Sequence, residues 1–538
     1  MSGNFNRENR ETPRASIASL GGTLPNDFQD RSENAPGGNA DTYAVGESDE
    51  SIVPSTAANK SAAEALAEQS EERDSANRNV VQPTSARTSS RTKRESRGLH
   101  GVRERARSSP DVRFTCLLHH VNQRCLTEAF FNLKKHAKEG IDGVTWHDYE
   151  VNLEANITDL HGRIHRGAYR AKPAQRAWIR KPKGGRRPLA IVSLEDKIVQ
   201  TAVQWVLQAI YEQDFLDFSY GFRPGRNQHT ALDSLSVALT TKRVNWVLDA
   251  DLESFFDSLD HEWLIKFLEH RIGDNRILRL IRKWLHAGVI EEGSMVQQKS
   301  GSPQGAVISP LLSNVYLHYV LDLWIHWWRQ QSGRGDVIIV RYADDFVIGF
   351  ERQDEAEQCL EALRARFAKF GLKLNDEKTR LIEFGRFAAP RRKRRGEGRP
   401  ETFDFLGFTH QCSTTRRSSR FIVRRESIAS RMRAKLAELK TELRKRWHDP
   451  VGETGRWLGR VLQGWLNYHA IPLNMERLQQ FRRSLIRLWL KQLRRRSQRH
   501  RWTWTRMYAL VSKYLPRLRI IHPYPDTRHH ARLKARAV

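Results

Sequence analysis

Two adjacent aspartates, Asp344 and Asp345, lie between two short apolar runs at residues 337–340 and 346–350. Apolar, β-branched runs on both sides of a short polar turn predict a β-hairpin, which would carry both carboxylates at its tip. Like charges held this close raise each other's pKa, and a divalent cation relieves the repulsion because hard cations such as Mg²⁺ prefer carboxylate oxygens. The pair therefore indicates a metal site. Taken alone, the turn is equally compatible with a solvated hairpin end.

A third carboxylate, Asp251, follows the apolar residues 246–248, at the predicted end of another strand. Phosphoryl transfer by two metal ions requires carboxylates from separate elements, which hold both ions around an in-line displacement. Asp251, Asp344 and Asp345 can supply three such groups. Spacing alone does not show that they meet.

The chain resembles the reverse transcriptases encoded by group II introns, from Arg113 almost to its C-terminus, which is about four fifths of its length. The resemblance rests on blocks that occur in the family's order. They are 140–145, 187–189, 194–200, 219–226, the block around Asp251, 301–305 with 309–312, the 342–345 hairpin, 371–379 and 403–408. An isolated pair of aspartates is a weak signal, whereas so many ordered blocks are a strong one.

The resemblance implies that Asp251, Asp344 and Asp345 are catalytic and hold two Mg²⁺ ions. Those ions activate the 3′-hydroxyl of a primer and steady the pyrophosphate that leaves the incoming nucleotide. Asp249 and Asp257 flank Asp251 in the sequence. Family position favours Asp251 as the ligand and makes Asp249 an acid at a strand end.

The resemblance also implies a pocket for deoxynucleoside triphosphates, with contacts from Lys181, Arg187, Leu252, Phe256, Gln304 and Lys378. Phe256 resembles the aromatic residue that excludes a ribose 2′-hydroxyl, and ordinary core packing is its alternative. Lys181 and Arg187 flank a Pro-x-Gly-Gly turn, and their cations could pair with a triphosphate or only with nucleic-acid backbone. Lys378 resembles a lysine that protonates pyrophosphate, although a solvated lysine is equally compatible.

The charge balance indicates a polyanionic partner. The chain has 91 Lys and Arg against 62 Asp and Glu, a formal charge of +29 and a pI near 10.3. Such an excess predicts counterion release on binding nucleic acid. The basic clusters proposed to contact RNA are Arg391, Arg392, Lys393, Arg394 and Arg395, with Arg494, Arg495 and Arg496. For the loop at 386–400, a mobile surface loop is the first interpretation and RNA contact the second.

Cysteine usage and hydropathy indicate a compartment. The four cysteines form no Cys-x-x-Cys pair, which is typical of a reducing environment. No apolar run approaches membrane-spanning length, and the N-terminus carries no apolar segment like a secretory signal. We therefore expect a cytoplasmic protein, compatible with the bacterial nucleoid, and no membrane partner.

The predicted fold class is α+β: a right-hand polymerase with fingers and palm around antiparallel sheets, then an all-helical thumb. Residues 1–110, rich in Ser, Asn, Glu, Arg and Ala, cannot bury enough apolar surface to offset their ordering entropy and are predicted disordered. Fingers and palm are assigned to 111–424. The thumb, called domain X in intron maturases, is assigned to 425–520, and 521–538 form a short basic tail.

Apolar spacing predicts helices at 197–211, 426–446, 453–469 and 475–499. The segments 464–468 and 522–525 resemble further family signatures, but Arg528-His529-His530 departs from the expected Arg-Phe. No Cys pairs or His-rich nuclease block follow, so second-strand cleavage is not expected from these residues.

The expected function is RNA-directed DNA polymerisation with maturase activity, and intron mobility by target-primed reverse transcription. The expected partners are the intron RNA, an RNA template with a DNA primer, target DNA and deoxynucleoside triphosphates. Two alternatives remain open at this stage. One is a related reverse transcriptase of a retron, a diversity-generating element or a defence system, and the other is a maturase that only assists splicing.

Overall fold

The computed structural model describes residues 99–180, 186–291, 294–296, 300–301, 305–496 and 502–528. Helices alternate with short strands up to residue 427, and helices follow. The helices are α1 (His100–Ser108), α2 (Gln123–Asn132), α3 (Trp146–Val151), α4 (Leu153–His165), α5 (Leu194–Asp214), α6 (Gln228–Thr241), α7 (Phe255–Ser258), α8 (His261–Glu269), α9 (Asn275–His286), α10 (Ser309–Leu317), α11 (Leu323–Gln331), α12 (Gln353–Lys369), α13 (Ala388–Arg394), α14 (Ala429–Lys445), α15 (Val451–His469), α16 (Met475–Arg495) and α17 (Trp504–Tyr514). The strands are β1 (Ala174–Arg180), β2 (Arg186–Ile191), β3 (Trp246–Ala250), β4 (Val289–Glu291), β5 (Ser294–Val296), β6 (Val337–Tyr342), β7 (Asp345–Phe350), β8 (Arg380–Glu383), β9 (Phe403–Phe405), β10 (Phe408–Thr414) and β11 (Phe421–Ser427).

A four-stranded antiparallel sheet, in the order β6-β7-β3-β8, carries the aspartates. The side chains of β6 are all buried, and those of β7 are buried after Asp345, because helices such as α12 cover the sheet. A strand buried in this way is nearly continuously apolar, which explains the β-branched runs in the sequence. The predicted hairpin is confirmed: β6 and β7 pair from Val337↔Phe350 to Tyr342↔Asp345.

Two smaller sheets complete the strands. One has the order β2-β1-β4-β5, with β1 and β4 parallel, and the other has the order β11-β10-β9. A small apolar cluster lies beside the first of them, formed by Ala174, Ala190, Val192, Val289 and Ala306.

The first described element corrects the predicted boundary of the N-terminal extension. Residues 1–98 lie outside the described part, but His100–Ser108 form α1 instead of a disordered basic stretch. Val102 and Ala106 are buried, and α1 packs against α5. The composition of the extension misled the prediction because these two small apolar residues, at helical spacing, find a partner surface far along the chain.

The basic segment at 386–400 also differs from the predicted loop, since it contains α13. Ala388 is buried, and Arg395 is ion-paired with both Glu383 and Glu397. Arg392 lies 3.4 Å from Glu397. Local ion pairs therefore order a segment whose Gly and Pro content predicted mobility.

Four helices, α14 to α17, make up what we call the helical segment, and they have an apolar core of their own. Leu439, Leu458, Phe481, Leu485 and Trp489 are almost completely buried in it. The predicted helices at 426–446, 453–469 and 475–499 are confirmed within a few residues at each end, up to Arg495, where α16 ends. Among the described residues no helix is long and apolar enough to cross a membrane.

Candidate active site

The register of the central sheet brings the aspartates to one edge. Asp344 lies in the two-residue turn between β6 and β7, and Asp345 is the first residue of β7. Ala250, the last residue of β3, pairs with Phe346. Because the two strands are antiparallel, the next residue, Asp251, lies opposite Asp345.

The carboxyl groups of Asp251 and Asp345 lie within hydrogen-bonding reach of each other, and Asp344 is close enough to repel Asp345. The pKa of Asp345 is raised, first by partial loss of hydration in a crowded cleft and then by its two acidic neighbours. The positive charge of Arg431 in α14 lowers the pKa of Asp345 and so offsets part of this rise. The Asp345 side chain remains exposed to solvent, so a ligand can reach this cluster. The structure therefore brings together the three aspartates that the sequence singled out.

A lysine already contacts this cluster. Lys378 forms an ion pair with Asp251, and the backbone of Asn375 donates to the Asp251 carbonyl at 2.9 Å. Within the described ranges, no group of three or more His, Cys, Asp or Glu side chains has the geometry of a metal site. The donor set is nevertheless composed of hard carboxylate oxygens from separate strands at a solvent-open edge, which is the chemistry that Mg²⁺ requires. The residues fit a divalent cation, provided that the Lys378–Asp251 pair rearranges.

Asp249 has a different environment from Asp251. Its carboxylate lies 3.5 Å from Arg380, its partner across β3 and β8. Burial raises the pKa of Asp249 to about 6, and Arg380 offsets part of that effect. An acid paired in this way suits the role that the sequence suggested for it, at a strand end beside the site.

The predicted nucleotide-binding residues are only partly described. Lys181 and Gln304 lie outside the described residues, and Arg187 lies in β2, paired with Ile179. Leu252 is 4% exposed and belongs to the core, so a nucleotide could meet its backbone but not its side chain.

Phe256 lies in α7, shortly after Asp251 in the sequence. It is half-buried, packs against the main core, and meets Phe255 edge to face with ring centroids 5.5 Å apart. Gly301 packs tightly against the backbone of Phe256, since a Cβ on Gly301 would lie 3.0 Å from the Phe256 carbonyl oxygen. Phe256 is thus held by packing while part of its surface remains accessible, which is compatible with both of its sequence interpretations.

The basic residues predicted to contact RNA differ in their exposure and in their partners. Lys393, Arg394 and Arg495 are exposed, as RNA contact requires. Arg496 instead donates to the carbonyls of Asp449, at 2.7 Å, and Arg446, at 3.1 Å. Arg496 therefore ties α16 to the end of α14, a structural role that the sequence did not reveal.

A buried arginine next to the turn was missed by the sequence reasoning. Arg341 and Asp322 are both fully buried, and Arg341 Nε donates to Asp322 Oδ1 at 2.7 Å. The same guanidinium donates to Asn314 Oδ1 at 3.0 Å, to the Ala343 carbonyl at 3.1 Å and to Ser219 Oγ at 2.7 Å. A buried ion pair is stable only when its remaining hydrogen-bonding groups are also satisfied, as they are here. A charge inside the apolar run 337–342 was the signal that could have identified it.

A glycine supports the same turn from outside the sheet. A Cβ at Gly221 would lie 2.3 Å from the backbone nitrogen of Ala343. The Gly221 carbonyl accepts from Asn314 Nδ2 at 2.7 Å, and Tyr220 N donates to the Arg341 carbonyl at 2.8 Å. Ala343 itself has a φ of 55°, in the left-handed region. The turn that carries Asp344 is therefore fixed from two sides.

Comparison with known proteins shows the family of the chain. The family described as reverse transcriptase (RNA-dependent DNA polymerase) matches residues 179–410. Protein YkfC of Escherichia coli is 34% identical over 314 residues, which are 51% of this chain and 81% of YkfC. The chain therefore belongs to the reverse transcriptase family, whose members generally use divalent metal ions.

Further relatives identify the branch of the family. The group II intron-encoded protein LtrA of Lactococcus lactis is 35% identical over 211 residues, 38% of this chain and 35% of LtrA. Nuclear intron maturase 3 of Arabidopsis thaliana, a mitochondrial protein, is 28% identical over 129 residues, 24% of this chain and 18% of that protein. The chain thus groups with the reverse transcriptases and maturases of group II introns, and its match with LtrA spans about a third of LtrA's length.

Proposed function

We propose that the chain copies RNA into DNA at the Asp251–Asp344–Asp345 cluster, and that it also assists splicing of a group II intron. The observation that carries the proposal is the meeting of three carboxylates from β3 and the β6–β7 hairpin at one solvent-open edge. Clustered acids destabilise a protein unless a cation balances them, so a resident ligand accounts for their presence.

The three aspartates would hold Mg²⁺. When bound, Mg²⁺ supplies activation of a primer 3′-hydroxyl and stabilisation of the leaving pyrophosphate. Arg341 and Gly221 keep the turn in place so that Asp344 and Asp345 need little rearrangement. The Lys378 ammonium, which pairs with Asp251 here, would be the proton donor to the pyrophosphate once that pair has rearranged.

The architecture supports the assignment of polymerase subdomains. We propose that the β6-β7-β3-β8 sheet is the palm, that the β2-β1-β4-β5 sheet belongs to the fingers, and that the helical segment is the thumb and maturase domain. The proposed boundaries stay at 111–424, 425–520 and 521–538, except that α1 joins the folded part. Basic helices suit an A-form duplex, which is recognised through its backbone and 2′-hydroxyls.

Primer extension tests the proposal. The reaction contains an RNA template annealed to a DNA primer, Mg²⁺ and deoxynucleotides, and it compares the wild type with Asp344→Asn. We expect extension by the wild type and none above background by Asp344→Asn, since the variant keeps the shape of the side chain but loses the charge. Asp354→Asn is the matched control, because Asp354 is an exposed acid just beyond the opposite end of β7, paired with Arg352.

A splicing assay separates the two proposed activities, polymerisation and assistance of splicing. Asp344→Asn should still accelerate splicing of its intron RNA, since that depends on binding surfaces and not on the metal site. If the folded, RNA-binding wild type does not extend a primer, polymerisation is refuted and a maturase confined to splicing replaces it. Target-primed reverse transcription is the proposed route of mobility. It requires a nicked DNA, whose 3′ end the protein extends along the intron RNA.

A further inference from the structure

A buried glutamine of α5 holds the short segment that leads into α10. Gln200 is 2% exposed, and its Oε1 accepts from the backbone nitrogen of Val307 at 3.1 Å. We call residues 305–308 the linking segment, because they directly precede α10. A backbone N–H that is removed from water needs an acceptor, and Gln200 supplies it from 107 residues away in the sequence.

One side of the linking segment lies against β2. Gly305 has a φ of 111°, and a Cβ there would lie 2.7 Å from the Ala190 carbonyl oxygen and 2.9 Å from Leu189 Cδ1. Ala306 is buried in the same small apolar cluster as Ala190. Because the contact is this close, a shift of the linking segment must also move β2. β2 is the strand that includes Arg187, which is predicted to contact the triphosphate.

The other end of the linking segment continues into α10, which supports the turn between β6 and β7. The side chain of Asn314 in α10 donates to the Gly221 carbonyl at 2.7 Å and accepts from Arg341 at 3.0 Å. Both of these partners hold the turn that carries Asp344. The linking segment and α10 therefore form one continuous connection between β2 and the aspartates.

The helix that carries Gln200 is itself firmly held. One helical turn before Gln200, and on the same face of α5, Asp196 accepts from Ser193 Oγ at 2.7 Å. Asp196 also accepts from the backbone nitrogen of Lys172 at 3.0 Å, just before β1 begins. Val199 and other neighbours on α5 are fully buried in the main core. This face of α5 is thus a fixed support for the linking segment.

The space beside Gln200 is too small for a substrate. Asp196, Gln200, Ala306 and Ser309 are among the residues around a cavity of about 20 Å³. Such a volume has room for about one water molecule. A nucleotide cannot enter it, so Gln200 acts on a nucleotide only through the linking segment.

We propose that Gln200 is a positioning residue, which fixes the distance between β2 and the aspartates and thereby the fit of the incoming nucleotide. This inference rests on the proposed function, because that distance must match a triphosphate only in a polymerase. Without the bond to Val307, the linking segment takes up further positions, and the arrangement that binds a nucleotide is present for a smaller fraction of the time. The apparent affinity for the nucleotide falls by that fraction, whereas the chemical step in the assembled site is unchanged.

Primer extension at varied deoxynucleotide concentration compares the wild type with Gln200→Met. Methionine has nearly the length and shape of glutamine but offers no oxygen to the Val307 nitrogen. We expect the KM for the deoxynucleotide to rise about tenfold and kcat to change by less than about twofold. Affinity for the primer–template, measured by anisotropy, should be unchanged. Gln208→Met is the matched control, since Gln208 is a half-buried glutamine further along α5 and outside the cavity lining, and it should keep the wild-type KM.

Hydrogen exchange of the peptide that contains Val307 reports on the bond without any catalysis. Exchange should be several times faster in Gln200→Met than in the wild type or in Gln208→Met. Gly305→Ala is the second variant, because its new Cβ pushes the linking segment away from Ala190. It should raise the KM in the same way, and it tests the connection if Gln200→Met does not fold.

Three results would contradict the proposal in different ways. Faster exchange with an unchanged KM would make Gln200 a part of the scaffold only. A fall in kcat at an unchanged KM would report fewer active molecules instead of weaker nucleotide binding. Unchanged exchange together with an unchanged KM would show that the bond to Val307 does not hold the linking segment. Absence of extension by the wild type would refute the proposed function and the role in nucleotide placement with it, and this failure is distinct because it appears without any substitution.

Discussion

At the scale of single residues, the acids proposed to do the chemistry depend on a buried arginine for their position. Arg341 lies one residue before Tyr342 and joins the turn to Asp322, Asn314 and Ser219. Its role is positioning, because it holds the Ala343 carbonyl and is completely buried, out of reach of a substrate. The three aspartates could be predicted from the sequence, since acids after apolar strands are a local signal. The partners of Arg341 could not be predicted from the sequence, because they lie up to 122 residues away.

Arg341→Met is expected to lower the free energy of unfolding by about 3–5 kcal/mol, because it leaves Asp322 buried without its counterion. The double variant Arg341→Met/Asp322→Leu should recover much of that stability, since an apolar pair can replace a buried ion pair. Primer extension should stay impaired in both, because neither restores the bond to the Ala343 carbonyl. Urea unfolding and primer extension on the same samples check this. Recovery of activity together with stability would mean that Arg341 serves folding only.

Gly221→Ala tests the other support of the turn. The new Cβ would collide with the backbone of Ala343, so the turn must shift, at a cost of about 1–3 kcal/mol in unfolding free energy. A displacement near 1 Å at reacting groups lowers rates by up to about 100-fold, and we expect primer extension to fall toward that extent. Gly464→Ala is the control, since its Cβ would meet nothing within 4 Å in the middle of α15. That variant should be neutral or slightly stabilised. Full activity in Gly221→Ala would show that the turn tolerates displacement.

At the scale of elements, the sequence predicted those with strong periodicity and missed those whose order comes from distant contacts. The helix predicted at 197–211 is the middle of α5, which runs from Leu194 to Asp214. By contrast α1 and α13 lie in stretches whose polar composition predicts disorder or mobility. Their order comes from packing on α5 in one case and from ion pairs to Glu383 and Glu397 in the other. Local propensity carries no information about either.

The segment after α17 contacts both α6 and α15, and we call this set of contacts the clasp. His522 stacks on His229 of α6 with ring centroids 3.8 Å apart, and its Nε2 lies 2.8 Å from the Asn467 carbonyl of α15. Arg528 pairs with Asp233 of α6 at 2.9 Å. These contacts link the helical segment to the elements around the central sheet. His522, the first residue of the segment 522–525, therefore has a structural role in this fold.

Arg528→Gln is expected to loosen this clasp without unfolding the chain, because Arg425 still balances Asp233. Limited proteolysis should release the helical segment several times faster, and the length of DNA made per binding event should fall. Arg519→Gln provides the comparison, as an exposed arginine of the same stretch. Asp233→Asn is the stronger variant. It leaves Arg425 almost fully buried without its ion-pair partner and should destabilise the fold by about 3–5 kcal/mol. Identical digestion of Arg528→Gln and the wild type would show that the clasp has no mechanical role.

At the scale of the whole molecule, the formal charge of +29 predicts that affinity for nucleic acid depends strongly on salt concentration as well as on the nucleic-acid sequence. If the chain neutralises about 6–10 phosphates, RNA affinity should fall by about 10³–10⁵ between 50 and 200 mM salt. Asp344→Asn should give the same slope as the wild type, since it changes the proposed metal site and not the basic surface. Filter binding over a salt series checks both statements. A shallow slope in the wild type would mean that the positive charge mainly serves internal ion pairs, such as those of Arg395 and Arg271, instead of an RNA surface.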